Sequence, residues 1–183
     1  VAQKLASNLK QDYNVIMTRS DDTFVPLGKR AEIGNDANAD LFISIHLNAA
    51  SSTSANGSEV FYFSKKESAY AAEVAKFENS VDKGYADVPL SDFIINDIFY
   101  RVNQQKSAML ATDMLDNIVN EFGLRKRGVF GANFAVLRGS NSPSILVEIG
   151  FVTNSGDMST YGTDSSRVKL ASEIAQGVRK HFE

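Results

Sequence analysis

Two apolar runs, about a hundred residues apart, constrain the fold of this chain more than any other feature. Residues 41–48 read LFISIHLN, and residues 144–152 read SILVEIGFV. Each run is almost unbroken by polar side chains, which is typical of a strand that is buried on both faces. Such strands occur in α/β proteins, where helices cover both sides of a largely parallel sheet. The two runs therefore predict that the interior of the domain is a sheet.

Helical and strand patterns alternate along the rest of the chain. The patterns predict helices over residues 1–11, 26–35, 65–79, 109–122 and 165–182, a short helix from Ser91, and further strands at residues 14–18 (NVIMT), 58–64 (SEVFYFS) and 132–138 (ANFAVLR). We expect one α/β domain over residues 1–183, with a mixed, largely parallel sheet that is sandwiched between helices.

Composition excludes several functional classes. The 183 residues carry a net charge of −3, and the one basic cluster, residues 125–127, is too short for a nucleic-acid-binding stripe. No apolar run approaches the roughly 18 residues of a membrane span. The chain has no cysteine, so disulfides and thiolate metal sites are excluded. We expect neither a nucleic-acid partner nor a membrane span.

Each apolar run contains one ionisable residue near its end, His46 in the first and Glu148 in the second. A buried imidazole has to find hydrogen-bond partners, bind a metal or take part in chemistry. An ionised carboxylate is costly in such a strand unless it is paired or metal-bound. Because ligands of open α/β sheets bind beyond the carboxyl ends of the strands, both residues are candidates for one cleft.

Simpler interpretations of these two residues stay open at this point. A buried histidine can be satisfied by core partners, and a buried glutamate can pair with an internal arginine or lysine. Other site classes have less support, because the chain has neither a G-x-S-x-G elbow nor a glycine-rich phosphate loop. His181 lies near the end of the last helix, where it complements the helix dipole.

Six segments resemble one enzyme family in content and in order. They are NVIMTR, PLGKR, NADLFISIHLNA, GSE, NFAVLR and PSILVEIGFVTN. Together they resemble the zinc-dependent N-acetylmuramoyl-L-alanine amidases over essentially the whole chain. These enzymes cleave the amide between the lactyl group of N-acetylmuramic acid and the L-alanine of the stem peptide in bacterial peptidoglycan.

The resemblance implies a role for each candidate. It implies that His46 is a zinc ligand and that Glu148 is the catalytic carboxylate. Imidazole is a common ligand of Zn²⁺, and a nearby carboxylate can take a proton from the attacking water. The resemblance also implies peptidoglycan or muropeptides as the partner, and an exported protein in the periplasm or at the cell wall.

Part of the family pattern is missing from this chain. The family holds zinc with His, Glu and His, and its first strand carries a G-H-G motif that is followed by the glutamate. We expect the sheet to lack that first strand and the other zinc ligands to lie upstream of Val1. The chain then represents part of an active enzyme, with weak or absent zinc binding and no activity by itself. The alternative is a non-catalytic peptidoglycan-binding or regulatory module that has lost its metal.

Residues 80–105 form an insertion relative to the shorter members of the family. The insertion resembles that of the cell-separation amidases, in which an inserted helix covers the zinc until an activator protein displaces it. The apolar segment from Ser91 to Tyr100 is the candidate for that helix, and Asp92 or Asp97 is the candidate for an inhibitory zinc ligand. The other interpretation is a surface excursion that only packs on the domain. A generic α/β domain with a buried histidine and glutamate remains the third hypothesis for the whole chain.

Overall fold

The computed structural model of the chain describes residues 1–93 and 97–183. This part of the chain contains eight α-helices and four β-strands. Their bounds are α1 Ala2–Leu9, α2 Leu27–Asp36, β1 Phe42–Asn48, β2 Ser58–Phe63, α3 Ala69–Asn79, α4 Lys83–Ala86, α5 Asp97–Phe122, β3 Lys126–Ala132, α6 Ala135–Arg138, β4 Ser144–Phe151, α7 Ser155–Thr160 and α8 Asp164–Phe182. Short 3₁₀ turns cover Ser80–Asp82 and Leu90–Asp92.

The four described strands form one sheet in the order β1-β4-β2-β3. β1 is parallel to β4 and β2 is parallel to β3, whereas β2 and β4 are antiparallel. The predicted mixed, largely parallel sheet is therefore confirmed. Because the central pair is antiparallel, the C-terminal ends of β1 and β4 share one edge with the first residues of β2 and β3. That edge carries the candidate site.

Helices cover both faces of the sheet. On one face, helices α1, α5 and α8 pack on an almost wholly apolar core, which we call the apolar face. Its strand residues include Val60, Ile145, Val147 and Ile149. On the other face, which we call the site face, α2, α3 and α6 pack near Phe42, Phe61 and Leu146. Strand alternation sends His46 and Glu148 to this second face.

Local sequence signals set several helix ends. The Ser68 side chain accepts a hydrogen bond from the Ala71 N–H and begins α3, and Thr163 caps α8 in the same way. Pro26 precedes the first residue of α2. Gly123 has a φ of +62°, a left-handed conformation that suits glycine, and it ends α5 as its sequence position predicted.

Two predicted strands were wrong. Asn14–Thr18 forms no strand, because no described strand pairs with it, although Val15 still packs on the apolar core. The ANFAVLR segment is a strand only at Ala132, where β3 ends. Its later residues form α6, whose first N–H, from Ala135, is bound by the Asn79 side chain at 2.7 Å. An apolar run of four residues is buried equally well by a helical turn.

The segment from Ser91 to Tyr100 was predicted as a short separate helix. Ser91 and Asp92 lie in a 3₁₀ turn, and Asp97 begins the 26-residue helix α5. Residues 94–96 of that prediction lie outside the described residues. Within the described ranges, no helix is both long and apolar enough to cross a membrane.

Candidate metal centre

His46 and Glu148 are brought together by strand pairing. β1 and β4 run parallel in a register that places His46 directly beside Glu148, just as Ser44 lies beside Leu146. Residues paired in this way point to the same face of the sheet. The predicted placement of His46 and Glu148 side by side on one face, near the ends of their strands, is confirmed.

Glu78 is the third member of the group and comes from helix α3. Its Oε2 lies 2.8 Å from His46 Nδ1, and both side chains are largely buried. One ligand atom from each of His46, Glu78 and Glu148 lies within 4.8 Å of the others. Three side chains from a strand, a helix and a second strand therefore converge on one point.

Glu148 is the most unusual carboxylate among the described residues. Its side chain is fully buried, and neither of its oxygens has a hydrogen-bond partner. Burial raises the pKa of Glu148 to about 9, with smaller contributions from the negative charges of Glu78 and Glu59. A buried polar atom without a partner is costly and therefore rare in native proteins. This carboxyl is thus placed for a ligand or a reaction rather than for stability.

A second buried carboxylate, Glu59, lies on the far side of Glu148. It is the cross-strand neighbour of Glu148 in the antiparallel pair β2–β4 and is also fully buried. Unlike Glu148, it is well bonded: Arg127 Nε donates to it at 3.0 Å, Asn48 Nδ2 at 2.7 Å, and the Tyr70 hydroxyl at 2.7 Å. Burial, followed by the hydrogen bond to Glu59, raises the pKa of Tyr70 to about 12, so its hydroxyl remains a donor.

The loops at this edge of the sheet are fastened to each other. The buried side chain of Asp157 accepts hydrogen bonds from the N–H groups of Gly57 (3.0 Å) and Phe151 (2.8 Å). The Asn154 side chain donates to the Thr53 carbonyl at 2.7 Å. The loops that follow β1 and β4 therefore form one connected wall beside the carboxylates.

The donor set fits a divalent transition metal. Imidazole nitrogen and carboxylate oxygen are ordinary ligands of Zn²⁺, and catalytic zinc sites often combine them. The Glu148 oxygens have no hydrogen-bond partner, Glu78 lies 2.8 Å from His46, and these three side chains would be the ones to hold a metal ion. The residues present therefore fit a metal ion.

Two further residues were predicted from the sequence as regulatory ligands. Asp92 is exposed and accepts a hydrogen bond from Ser91 at 3.1 Å, and it does not belong to the group of His46, Glu78 and Glu148. The side chain of Asp97 lies outside the described residues. A regulatory role for either aspartate stays a prediction.

Sequence reasoning missed Glu78 and Glu59. Both carried the same signal that revealed Glu148, a carboxylate at an apolar position. Glu59 shares one face of β2 with Phe61 and Phe63, and Glu78 follows the buried Val74 by four residues on α3. A test of every acidic residue against the strand and helix periods would have found both.

Comparison with known proteins now identifies the family. The family described as N-acetylmuramoyl-L-alanine amidase matches residues 1–180. This chain is a member of that family. The chain is 37% identical over 179 residues to the amidase AmiC of Neisseria meningitidis, and the match covers 93% of the chain and 42% of the relative. It is 34% identical over 173 residues to AmiA of Escherichia coli K12, with 91% and 60% covered.

Solved structures agree with this family assignment. An N-acetylmuramoyl-L-alanine amidase from Clostridium difficile 630 superposes with a TM-score of 0.74 at 30% identity, covering 99% of this chain and 79% of that one. The amidase fold therefore accounts for nearly every residue of the chain. The chain nevertheless spans about half the length of the curated relatives it matches.

Proposed function

We propose that this chain belongs to a zinc-dependent hydrolase that cleaves the amide between N-acetylmuramic acid and the L-alanine of the stem peptide in peptidoglycan. The observation that carries the proposal is Glu148, a fully buried carboxyl without a partner in register with His46. Membership of the amidase family supports the choice of bond. The same substrate supports an exported location, in the periplasm or at the cell wall.

His46 is the ligand through which this chain would hold zinc, and Glu78 can reach the same ion. Bound zinc would polarise the scissile carbonyl and lower the pKa of a bound water. Glu148 has the position of the general base and acid, which takes a proton from the attacking water and gives it to the leaving amine. Its apolar surroundings favour the protonated form, which suits the second of these transfers.

The test of this proposal is the change Glu148→Gln in the complete protein. Glutamine keeps the size of the side chain but cannot accept the proton, so cleavage should fall by about 10²–10⁴-fold. The readouts are the release of stem peptide from purified peptidoglycan and the zinc content of the variant. Cleavage at another bond, or a glutamine variant as active as its parent, would refute the proposal. Loss of zinc in the variant would make Glu148 a ligand instead.

The position of Glu78 favours a second function of the same site, the restraint of its own activity. The Glu78 carboxylate lies 2.8 Å from His46 Nδ1, so it could bind a zinc held by His46 and compete there with the catalytic water. We propose that α3 restrains the enzyme in this conformation and that an activator protein moves it. In this proposal Glu78 is an inhibitory residue, and the role predicted for Asp92 or Asp97 remains a separate prediction.

The variant Glu78→Gln tests this restraint in the complete protein. A neutral amide competes poorly for the metal, so cleavage of soluble muropeptides without an activator should increase. Glu73→Gln is the matched control, because Glu73 lies on the exposed side of the same helix. A Glu78→Gln variant that is no more active than the Glu73→Gln control would contradict the restraint. If neither variant cleaves muropeptides, the alternative of a non-catalytic module remains.

A further inference from the structure

The position of Glu78 beside His46 depends on the residues that follow Glu78 in the chain. Helix α3 ends at Asn79, and the 3₁₀ turn Ser80–Asp82 and helix α4 come directly after it. We call residues 79–86 the docking segment. Because no loop separates this segment from α3, its attachment to the rest of the domain constrains the end of α3. It thereby constrains the Glu78 carboxylate, which lies 2.8 Å from His46 Nδ1.

The Tyr85 ring of the docking segment lies in a cradle formed by two glycines. A Cβ atom on Gly28, in the first turn of α2, would lie 2.6 Å from Tyr85 Cε2 and 2.8 Å from its Cδ2. A Cβ atom on Gly139, which follows α6, would lie 2.5 Å from the Tyr85 hydroxyl oxygen. Cβ atoms essentially never lie within 3.0 Å of other heavy atoms. The ring therefore occupies space that exists only because both residues are glycine.

Arg138, the last residue of α6, holds Tyr85 from a second side. Its guanidinium donates to the carbonyls of Tyr85 and Ala86, and its Cζ atom lies 4.9 Å from the centre of the Tyr85 ring. The Phe93 ring lies 4.6 Å from the same Cζ atom and meets the Tyr85 ring edge-to-face at 5.4 Å. Contacts of both kinds are stabilising when they are shielded from water. The backbone and the side chain of Tyr85 are thus both attached to α6.

The walls of the cradle are fastened to each other without the help of Tyr85. The Asn35 side chain, on α2, donates to the Gly139 carbonyl at 2.8 Å and accepts from the Asn141 N–H at 2.9 Å. These two hydrogen bonds join α2 to the residues that follow α6. The cradle therefore belongs to the body of the domain, and the Tyr85 ring is the part that can leave it.

The other attachments of α3 are of a different kind. Near its first turn, the Tyr70 hydroxyl donates to the fully buried Glu59, which would be left with an unpaired oxygen if Tyr70 moved away. At its end, the Asn79 side chain exchanges two hydrogen bonds with the backbone at the start of α6. Water can replace the bonds of Asn79 when the segment lifts, whereas only a side chain can fill the space that Tyr85 occupies.

We infer that Tyr85 is the latch of the restraint on the metal centre: its ring, held in the glycine cradle, keeps the end of α3 in place and Glu78 beside His46. The inference rests on the proposed function, and in particular on the restraint by Glu78. When the ring leaves the cradle, the docking segment loses its aromatic contacts with α2 and α6. Glu78 can then withdraw from His46 while Tyr70 keeps the start of α3 attached to the sheet. An activator protein would release the enzyme by drawing Tyr85 out of the cradle.

The test measures how fast His46 reacts with diethyl pyrocarbonate, which modifies accessible neutral imidazoles, in the metal-free chain. The chain has only two histidines, so the modification of His181 is the internal reference in the same mass spectrum. In Gly28→Ala the new methyl group takes space from the Tyr85 ring, so we expect the reactivity of His46 relative to His181 to rise on the order of tenfold. Tyr85→Ala removes the ring without adding a group and should give the same rise.

Gly84→Ala is the matched control. Gly84 precedes Tyr85 in α4, and a Cβ atom there would meet no other atom within 4 Å, so the reactivity of His46 should equal that of the parent. In the double variant Gly28→Ala/Tyr85→Ala, the added methyl group has no ring to displace, so the two changes should not add. A Gly28→Ala chain whose His46 reacts like that of the Gly84→Ala control overturns the latch.

Cleavage by the complete protein separates the latch from the proposed function. Without an activator, Tyr85→Ala should cleave soluble muropeptides faster than its parent, together with the rise in His46 reactivity. A rise in reactivity without faster cleavage refutes the restraint by Glu78 and the regulatory role of Tyr85. Unchanged reactivity overturns the latch alone, whatever the rate of cleavage. If parent and variants all fail to cleave, the proposed hydrolase activity is refuted, and the reactivity of His46 still decides whether Tyr85 holds Glu78 in place.

Discussion

The two faces of the sheet are built from the same strands but bury different kinds of side chain. On the apolar face, α1, α5 and α8 bury aliphatic side chains such as Leu115, Ile118 and Ile174, and buried charges are absent from the core described there. On the site face, the same strands present His46, Glu148 and Glu59 in one row. Because side chains alternate along a strand with a period of two residues, the aliphatic and the ionisable residues point to opposite faces.

The comparison shows how the buried side chains of the two faces differ. Apolar burial supplies a free-energy gain that is proportional to area, and both faces have it, because Phe61, Phe134 and Leu146 are fully buried on the site face. The polar row of the site face gains little, because every buried carboxyl there has to be bonded or remain at a cost. Apolar packing on both sides of the sheet therefore supports an edge that also carries buried ionisable residues.

The largest effect on this comparison should come from Arg127→Met. Glu59 is fully buried, and removing its guanidinium partner leaves an uncompensated charge, which costs about 3 kcal/mol of unfolding free energy. Urea unfolding with and without the change measures this cost.

The control for Arg127→Met is Leu115→Ala on the apolar face. The fully buried Leu115 leaves a cavity when it is truncated, at a similar cost of about 2–5 kcal/mol. That cost comes from lost apolar contacts and not from an unpaired charge. If Arg127→Met leaves the free energy of unfolding unchanged while Leu115→Ala lowers it, Glu59 does not need its guanidinium partner and the two faces do not differ as we describe.

An effect of comparable size should come from the pH dependence of Glu148 in the metal-free chain. Burial, with help from Glu78 and Glu59, raises the pKa of this carboxyl from its ordinary 4.5 to about 9, so the folded state binds the proton more tightly. The stabilising contribution is complete below about pH 4.5 and is lost as the pH rises towards 9, with a slope of at most about 1.4 kcal/mol per pH unit. Unfolding midpoints between pH 5 and 8.5, with a chelator present, should fall in the parent and fall less in Glu148→Gln. Equal slopes would contradict the shift.

The smallest effect should come from Lys180→Gln. Lys180 pairs with Asp113 at 2.8 Å and links α8 to α5 at the rim of the apolar face. Exposed pairs of this kind contribute little, because solvent and salt screen them. We expect no measurable change in the unfolding midpoint. A clear loss would mean that charges also support the apolar face.

The sequence was most informative where a residue contradicted its surroundings. His46 and Glu148 stood out in apolar strands, and β-strand alternation placed them on one face without further information. The structure confirms that placement. The register that makes them direct neighbours comes from the pairing of distant strands, which no local pattern specifies.

Other features depended on tertiary contacts. Asn14–Thr18 has the composition of a strand but no described strand to pair with, and ANFAVLR divides between a strand end and a helix. Glu78 lies on the buried side of α3, which its sequence position indicates, but its proximity to His46 comes only from the packing of that helix. Secondary-structure propensity describes a segment by itself. The packing of α3 on the sheet determines which of its carboxylates lies beside His46.

The pairing of β1 with β4 has a consequence for biosynthesis. His46 leaves the ribosome about a hundred residues before Glu148, and the two are joined only by a parallel pairing of high sequence separation. Closing so long a loop has an entropic cost that has to be met before the contact forms, which makes such pairings late events in folding. The half-made chain therefore contains His46 and Glu78 without the carboxylate proposed to act on the substrate. The group of His46, Glu78 and Glu148 is therefore complete only after β4 has been synthesised and has paired with β1.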